Sequence, residues 1–154
     1  MIDAQDNLMQ DVKQELQEGG LKVTQQRSDV LGCFFELQQR HLSAYDIHKY
    51  LLNKDSKISL STVYRIITQF THAGLLNKLT LDEERSVFEL AADKEHHDHI
   101  ICESCGTIIE FHNEQIEQLQ EEIAAQHNVT ITGHTHILYC KCNKCTSSQA
   151  DTSS

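Results

Sequence analysis

The chain has 154 residues, of which 39% are hydrophobic, and it carries a formal net charge of −10 with six cysteines and ten histidines. That length suits one ordinary domain or two small ones, and small domains often need a metal ion or a second copy to complete their core. No apolar run approaches the length of a membrane-spanning helix and no signal-peptide pattern is present, so a cytoplasmic location is expected. In the cytoplasm cysteines act more often as metal ligands than in disulfides.

The acidic excess is confined to the second half of the chain. Residues 1–80 carry equal numbers of acidic and basic side chains, and residues 19–80 taken alone are net basic. Residues 81–154 carry the whole acidic excess together with seven of the ten histidines. A mildly basic first half joined to an acidic second half rich in metal ligands predicts two domains with different tasks.

Two helices are predicted before residue 38. Residues 5–18 have the composition of a helix that ends at a pair of glycines;. Thr24 is the expected N-cap of a second helix that ends near Leu37;. The apolar stripe of this second helix is expected to be buried. It consists of Val30, Leu31, Phe34 and Phe35.

Two further helices and a hairpin complete the first half. Ser43 and Asp46 resemble a capping box and predict a helix that begins at residue 44;. Ser61 is the expected N-cap of the next helix, and Gly74 suits the position just past its end;. Two β-like runs then flank the turn sequence DEER and predict a hairpin;. Helices followed by a hairpin are the order of a winged helix-turn-helix, and a generic small helical domain is the alternative.

The second half predicts a small sheet with one helix. The sequences HDHIIC and TIIEF are expected to form strands on either side of the turn CESCG;. An amphipathic helix over residues 114–127 and a long strand over residues 129–139 follow, and the polar tail from residue 146 is expected to be disordered;. One helix on three strands is a small core, so dimerisation through the sheet or the helix is expected.

Two Cys-x-x-Cys pairs are the strongest motif. Cys102 with Cys105, and Cys142 with Cys145, each place two thiolates on one turn, and four thiolates complete a tetrahedron around zinc;. Sulfur ligands exclude Mg²⁺ and Ca²⁺. A pair of redox or adventitious motifs is the alternative, but no thioredoxin-like βαβ unit surrounds either pair. Cys140 could compete with Cys142 for the metal, and is expected to be a free thiol.

The stretch EHHDH predicts two further metal sites. In an extended chain His96 and Asp98 point to one side, whereas His97 and His99 point to the other;. One ion cannot easily collect ligands from both faces of a strand, so each pair is expected to serve its own ion. The candidates for completing the two sites are Glu89, Glu110, Glu117, His41 and His134.

Imidazole and carboxylate ligands suit exchangeable Fe²⁺, Mn²⁺, Co²⁺ or Zn²⁺. A surface histidine cluster without a specific ion is one alternative, and a metallohydrolase centre or a metal buffer is another. Against an enzyme, each set is rich in ligands and leaves no evident open position. The remaining histidines have no comparable setting and are expected to be surface or core residues: His48, His72, His112, His127 and His136.

Four segments together resemble the ferric uptake regulator (Fur) family: GLKVTQQR, SLSTVYRIITQF, SVFEL and HHDHIICESCGTIIEF. The resemblance covers about residues 19–145. It implies a homodimeric, cytoplasmic, metal-dependent transcriptional repressor with an α+β fold. Residues 1–91 would form a winged-helix DNA-binding domain, residues 92–145 a dimerisation domain, and residues 146–154 a disordered tail.

The same resemblance implies three metal sites. The sensory site, for Fe²⁺ with Mn²⁺ as a surrogate, would use His41, Glu89, His97, His99 and Glu110. The second site would use His96, Asp98, Glu117 and His134. The structural zinc site would use Cys102, Cys105, Cys142 and Cys145. Glutamates stand where the peroxide-sensing branch tends to use aspartates, which favours iron sensing, and a zinc-sensing relative stays open.

For DNA, the resemblance places the helix STVYRIITQF in the major groove of a palindromic, A·T-rich operator of iron-uptake genes. Base reading is expected from Tyr64 and Arg65, with a buried aromatic as the alternative for Tyr64. Phosphate contacts are expected from Ser61, Thr62 and Arg27. Lys22 is expected to enter the minor groove. Whether dimers pair into tetramers is left open.

Overall fold

The computed structural model describes residues 4–37, 39–91 and 96–150. The chain divides into two compact units, Met1–Lys94 and Glu95–Ser154. No helix in the described ranges combines the length and apolar character needed to cross a bilayer.

The first unit contains the predicted helices and hairpin. Its elements are α1 (Ala4–Glu18), α2 (Gln25–Glu36), α3 (Ala44–Asn53), α4 (Leu60–His72), β1 (Leu76–Thr80) and β2 (Ser86–Leu90). Strands β1 and β2 pair antiparallel. The N-cap Thr24 is confirmed, since its side chain accepts from the backbone N–H of Arg27. The capping box of Ser43 and Asp46 is also confirmed, and Gly74 takes a positive φ of 77° just past the end of α4.

The predicted N-cap of α4, Ser61, is wrong by two residues. Ser59 caps this helix: its backbone is extended, and its hydroxyl accepts from the backbone N–H of Thr62 at 3.2 Å. Ser61 is therefore inside the first turn. The sequence Ser-Leu-Ser offers two hydroxyl residues with equal capping chemistry. Only the point at which the backbone leaves helical geometry distinguishes them.

Apolar burial holds the first unit together. Phe70, Leu16, Leu31 and Ile47 are each 0% exposed. The predicted stripe of α2 is correct for Val30, Leu31 and Phe34, which are buried, but wrong for Phe35, which is 36% exposed. Gly32 and Cys33 are buried in its place. A helix packed against neighbours on several sides buries a wider arc than a single stripe, and where that arc ends depends on the neighbours.

The second unit is a three-stranded sheet with two helices. Its elements are β3 (Asp98–Cys102), β4 (Ile108–Phe111), α5 (Glu114–Gln126), β5 (Ile137–Cys140) and α6 (Asn143–Ala150). The strand order is β4-β3-β5, with β3 antiparallel to β4 and parallel to β5. The central strand β3 therefore runs from Asp98 and His99 of the histidine-rich motif to Cys102, the first cysteine of CESCG.

Two predictions for the second unit are wrong. The long strand over residues 129–139 is reduced to Ile137–Cys140, because its ladder partner β3 starts at Asp98 and pairs from His99 opposite Ile137. The tail predicted as disordered from residue 146 is helical as far as Ala150, where α6 ends. Within α6 the side chain of Thr146 donates to the carbonyl of Cys142. Residues 151–154 lie outside the described ranges.

The second unit buries little apolar surface. Among its described residues the buried apolar side chains are Ile101, Cys102 and Ala124. Its exposed large apolar residues are Ile109, Leu119, Ile123, Val129, Leu138 and Tyr139. The predicted apolar stripe of α5 thus exists in the sequence, but two of its members, Leu119 and Ile123, are more than half exposed.

Candidate metal centres and nucleic-acid interface

The four predicted zinc ligands form one cluster. Cys102 ends β3 and Cys105 lies in the turn that follows, which Gly106 closes with a φ of 73°. Cys142 and Cys145 lie at the start of α6. The sulfur–sulfur distances are 3.9 Å for Cys102–Cys145, 3.8 Å for Cys105–Cys142 and 3.4 Å for Cys142–Cys145. A zinc–sulfur bond of about 2.3 Å places tetrahedral sulfur atoms about 3.8 Å apart, so the cluster fits zinc.

The four thiols of the cluster have different pKa shifts. Backbone N–H groups, first that of Cys142 at 3.4 Å and then that of Cys105, lower the pKa of Cys102 to about 6. The hydroxyl of Thr107, at 3.1 Å, lowers the pKa of Cys105. The thiols of Cys142 and Cys105 raise the pKa of Cys145 to about 12. A divalent cation would remove this competition between neighbouring thiols because it stabilises all four as thiolates.

Cys140 is a fifth thiol beside this cluster. Its Cα pairs with that of Cys102 across the parallel strands β5 and β3. Burial, followed by the charges of Cys102 and Cys142, raises its pKa. The expectation that Cys140 is a free thiol stays a prediction.

The second cluster joins Asp98 and Glu117 to two histidines. Nε2 of His96 lies 3.6 Å from Oδ1 of Asp98 and 3.2 Å from Oε1 of Glu117. Nε2 of His134 lies 3.7 Å and 3.5 Å from the same two oxygens. One ligand atom from each of the four residues falls within 4.8 Å of the others. The start of β3, helix α5 and the segment before β5 thus bring two carboxylates and two imidazoles to one point.

The polar atoms of this cluster suit a bound cation. Oδ2 of Asp98, Oε1 of Glu117 and Nε2 of His134 are buried and have no hydrogen-bond partner among the described residues. A buried polar atom without a hydrogen bond costs about 1–3 kcal/mol. A divalent ion among these ligands would offset that cost, and two nitrogen with two oxygen donors suit Fe²⁺, Mn²⁺, Co²⁺ or Zn²⁺.

The candidate sensory ligands form one group in each unit. In the second unit Nε2 of His97 lies 3.5 Å from Oε1 of Glu110, and the rings of His97 and His99 are 5.0 Å apart. Residues His99 and Glu110 are register partners on β3 and β4. The EHHDH motif is therefore divided as its alternation predicts, with His96 and Asp98 in the other cluster.

In the first unit Nε2 of His41 lies 3.0 Å from Oε2 of Glu89, whose side chain is 5% exposed. The backbones of Leu42 and Phe88 exchange two hydrogen bonds, of 3.0 and 2.8 Å. This bridge fixes the loop before α3 against the hairpin strand β2. His41 and Glu89, each next to one of the bridged residues, are held together as a result.

The exposed face of α4 carries the predicted base-reading residues. Tyr64 is 54% exposed, so the alternative of a buried aromatic is wrong, and Arg65 and Ser61 are exposed as well. Thr62 is half-buried and its hydroxyl lies 2.9 Å from that of Ser59. Val63, Ile66, Ile67 and Phe70 fill the buried face of the same helix.

Arg27 ties this helix to the start of α2. Its guanidinium donates to the carbonyl of Lys22 at 2.9 Å and to Oε1 of Gln69 at 3.1 Å. Lys22 itself is exposed. The predicted contacts of Lys22 and Arg27 with DNA stay predictions. Gln69 was not anticipated, because a glutamine on a helix gives no signal of its own in the sequence.

One histidine was assigned wrongly. Nδ1 of His136 lies 3.6 Å from Oδ2 of Asp98, so His136 belongs to the surroundings of the second cluster and is not an unrelated surface or core residue. The signal in the sequence was its spacing of two from His134, which places both residues on one side of an extended chain.

Comparison with known proteins identifies the family that shares this order of elements. Residues 18–147 match the model of the ferric uptake regulator family. The chain belongs to this family. It is 43% identical over 135 residues to the ferric uptake regulation protein of Vibrio parahaemolyticus serotype O3:K6 (strain RIMD 2210633), covering 88% of this chain and 90% of that protein.

Solved structures of ferric uptake regulators are similar over most of their length. The Francisella tularensis protein, solved with iron, has a TM-score of 0.74 and 39% identity, covering 82% of this chain and 96% of that one. The Helicobacter pylori protein, which has three functional metal-binding sites, has a TM-score of 0.77 and 30% identity, covering 94% and 95%. Membership of this family makes the chain a metal-binding transcription regulator.

Proposed function

We propose that this protein is an Fe²⁺-dependent transcriptional repressor of iron-uptake genes, which binds an A·T-rich palindromic operator as a homodimer in the cytoplasm. The observation that carries the proposal is the contact between His41 and the buried carboxylate of Glu89 at 3.0 Å. It puts potential metal ligands inside the unit that also carries the exposed recognition helix.

The sensory ion in this proposal takes ligands from both units. His41 and Glu89 would supply the first unit's share, and His97, His99 and Glu110 the second unit's. An ion with this ligand set would favour one arrangement of the two units among many, and would raise operator affinity by a shift of population. Bound cations would also offset part of the net charge of −10 that opposes approach to DNA;.

Iron is the proposed sensory metal because the five ligands are nitrogen and oxygen donors, which bind Fe²⁺ in exchangeable form. Mn²⁺ would act as a surrogate. The four-thiol cluster is proposed to hold a structural Zn²⁺, since thiolates hold zinc tightly in a closed tetrahedron. The site of His96, Asp98, Glu117 and His134 is proposed as a further regulatory site.

The homodimer is proposed to cover the apolar surface of the second unit. Leu119 is 56% exposed and Ile123 55% exposed on α5, while Leu138 and Tyr139 are 45% and 51% exposed on β5. Apolar surface of this extent in a unit with so few buried side chains is characteristic of an interface between chains. A second copy of the chain is the partner the family resemblance implies.

DNA recognition is proposed to use the exposed face of α4. Arg65 would donate two hydrogen bonds to a guanine, and Tyr64 would meet a thymine methyl group. Ser61, Thr62 and Arg27 would contact phosphates. Phosphate contacts position the protein on the duplex but do not distinguish one base sequence from another. Lys22 would enter a narrow A·T-rich minor groove, where the negative potential is enhanced.

The proposal is tested by measuring operator affinity against free Fe²⁺, Mn²⁺ and Zn²⁺ under anaerobic conditions. A palindromic A·T-rich duplex is compared with a random duplex of equal length. Wild-type protein is expected to bind the operator at least tenfold more tightly with Fe²⁺. His99→Ala is expected to lose this gain while remaining dimeric, because it removes one sensory ligand but none of the proposed interface.

His127→Ala is the matched control, since His127 is exposed at the end of α5 and belongs to no cluster. Equal operator affinity for His99→Ala and wild type across the Fe²⁺ titration would contradict the assignment. Metal binding without any preference for the operator over the random duplex would instead indicate a metal buffer.

A further inference from the structure

Asp98 presents its two carboxylate oxygens to different neighbours. Its side chain is 1% exposed. Oδ1 faces the second cluster, with Nε2 of His96 at 3.6 Å and Nε2 of His134 at 3.7 Å. Oδ2 lies 3.6 Å from Nδ1 of His136. Both Oδ2 and Nδ1 of His136 are buried, and neither has a hydrogen bond within the described ranges.

His136 is held in place by its backbone and its ring. Its carbonyl accepts from the backbone N–H of His99 at 3.2 Å, which ties it to β3 one residue from Asp98. Its ring packs edge-to-face on Phe111, with the centroids 5.8 Å apart. Phe111 is in turn the register partner of Asp98 on β4. The imidazole is therefore positioned beside the carboxylate by two neighbouring strands.

We propose that His136 is a positioning residue for the metal ion of the second site. With an ion at this site, its Nδ1–H would donate to Oδ2 of Asp98, and this hydrogen bond would turn Oδ1 toward the ion held with His96, Glu117 and His134. The proposal rests on the second site of the proposed function. A shortening of about 0.5 Å brings the two atoms within hydrogen-bond range.

The physical consequence is that one oxygen of the Asp98 carboxylate would already accept a hydrogen bond. A buried aspartate with two free oxygens can bind an ion through either or both of them. A donor on Oδ2 leaves Oδ1 as the single ligand atom in a defined orientation. Partners of this kind outside the coordination sphere typically account for 10- to 100-fold in metal affinity.

The test replaces His136 by residues that keep or remove this N–H. Asparagine places its amide N–H near the position of Nδ1, glutamine places it one bond farther, and leucine has none. Zinc-replete dimer of each variant is titrated with Co²⁺, with affinity measured by competition with a chelator and coordination followed by visible absorption. The absorption bands that disappear in Glu117→Gln identify the second site.

His136→Leu and His136→Gln are expected to weaken Co²⁺ binding at the second site by 10- to 100-fold and to shift its absorption bands. His136→Asn is expected to stay within about threefold of wild type, and so is the exposed control His127→Leu. If His136→Leu does not fold, the comparison of asparagine with glutamine carries the test alone.

Wild-type Co²⁺ affinity in His136→Gln and His136→Leu would overturn the inference, and so would an equal loss in His136→Asn, which would indicate packing and not the N–H. If Glu117→Gln removes no Co²⁺ from the protein, the second site itself fails. The two failures are thereby distinguished.

Discussion

The two units differ in how they are stabilised. The first contains a continuous cluster of buried apolar side chains contributed by its helices and hairpin, with Phe70, Leu31 and Leu42 fully buried. The second unit, within its described residues, buries Ile101, Cys102 and Ala124. Its buried polar residues are Asp98 and His99. One half therefore folds by apolar burial, while the other places potential metal ligands where a core would be.

This difference indicates what the second unit lacks as a single chain. Small units with little buried apolar surface are commonly stabilised by a structural metal or by association with another chain. The thiol cluster joins the end of β3 to the start of α6, so a zinc ion there would link the sheet to the C-terminal end of the unit. The exposed apolar side chains of α5 and β5 would contribute further stability where a second copy covers them. Four predictions test this comparison.

The largest effect is expected from Cys102→Ser. Structural zinc contributes about 10–16 kcal/mol of apparent binding free energy in small zinc domains, and loss of one thiolate removes most of it. Backbone amides of the second unit should lose protection from hydrogen exchange, whereas those of α2 and α4 should keep it. Cys140→Ser is the matched control and should retain stoichiometric zinc. A zinc-free Cys102→Ser protein with full protection in both units would remove the distinction between them.

The next effect is expected in the first unit. Phe70→Ala should lower the free energy of unfolding of that unit by about 3–5 kcal/mol, because it opens a cavity at a site that is 0% exposed;. Denaturant unfolding measures this change, and zinc content should not alter. Phe35→Ala, the same substitution at a 36% exposed position, should cost less than about 1 kcal/mol;. Comparable losses for the two variants would argue against an apolar core as the basis of this unit.

An intermediate effect is expected at the proposed interface. Ile123→Glu should raise the dimer Kd about 100-fold, or about 3 kcal/mol, because it places a charge in the apolar face of α5. Sedimentation equilibrium measures the change. Ala125→Glu adds the same charge at an exposed position on the same helix and should leave the dimer intact. A dimer equally tight in both variants would move the interface elsewhere.

The smallest effect concerns the start of α4. Ser59→Ala should destabilise the first unit by about 1 kcal/mol, because its hydroxyl caps the backbone N–H of Thr62 at 3.2 Å;. Ser61→Ala should change stability by less than about 0.5 kcal/mol, since Ser61 is an exposed residue within the helix;. Unfolding free energies that rank the two variants in the opposite order would restore Ser61 as the cap.

Many features of the candidate sites could be predicted because they depend on local backbone geometry. The division of the EHHDH motif into two groups follows from the alternation of side chains in an extended chain. The assignment of four thiols to one cluster follows from two Cys-x-x-Cys turns. Capping by Thr24 and by the Ser43–Asp46 pair is likewise a property of a few adjacent residues.

The sequence by itself therefore determined the order of elements as far as β5, a division into two units, and which residue types supply the ligands. Only the tertiary structure decided how far the strand before Cys140 runs, that Phe35 is exposed, and that His136 stands beside Asp98. The physical reason is common to all three. A ladder hydrogen bond, a buried face and an ion pair each require a partner that is distant in the chain. A sequence pattern shows that a residue can make such a contact, but it does not show which distant residue will be the partner.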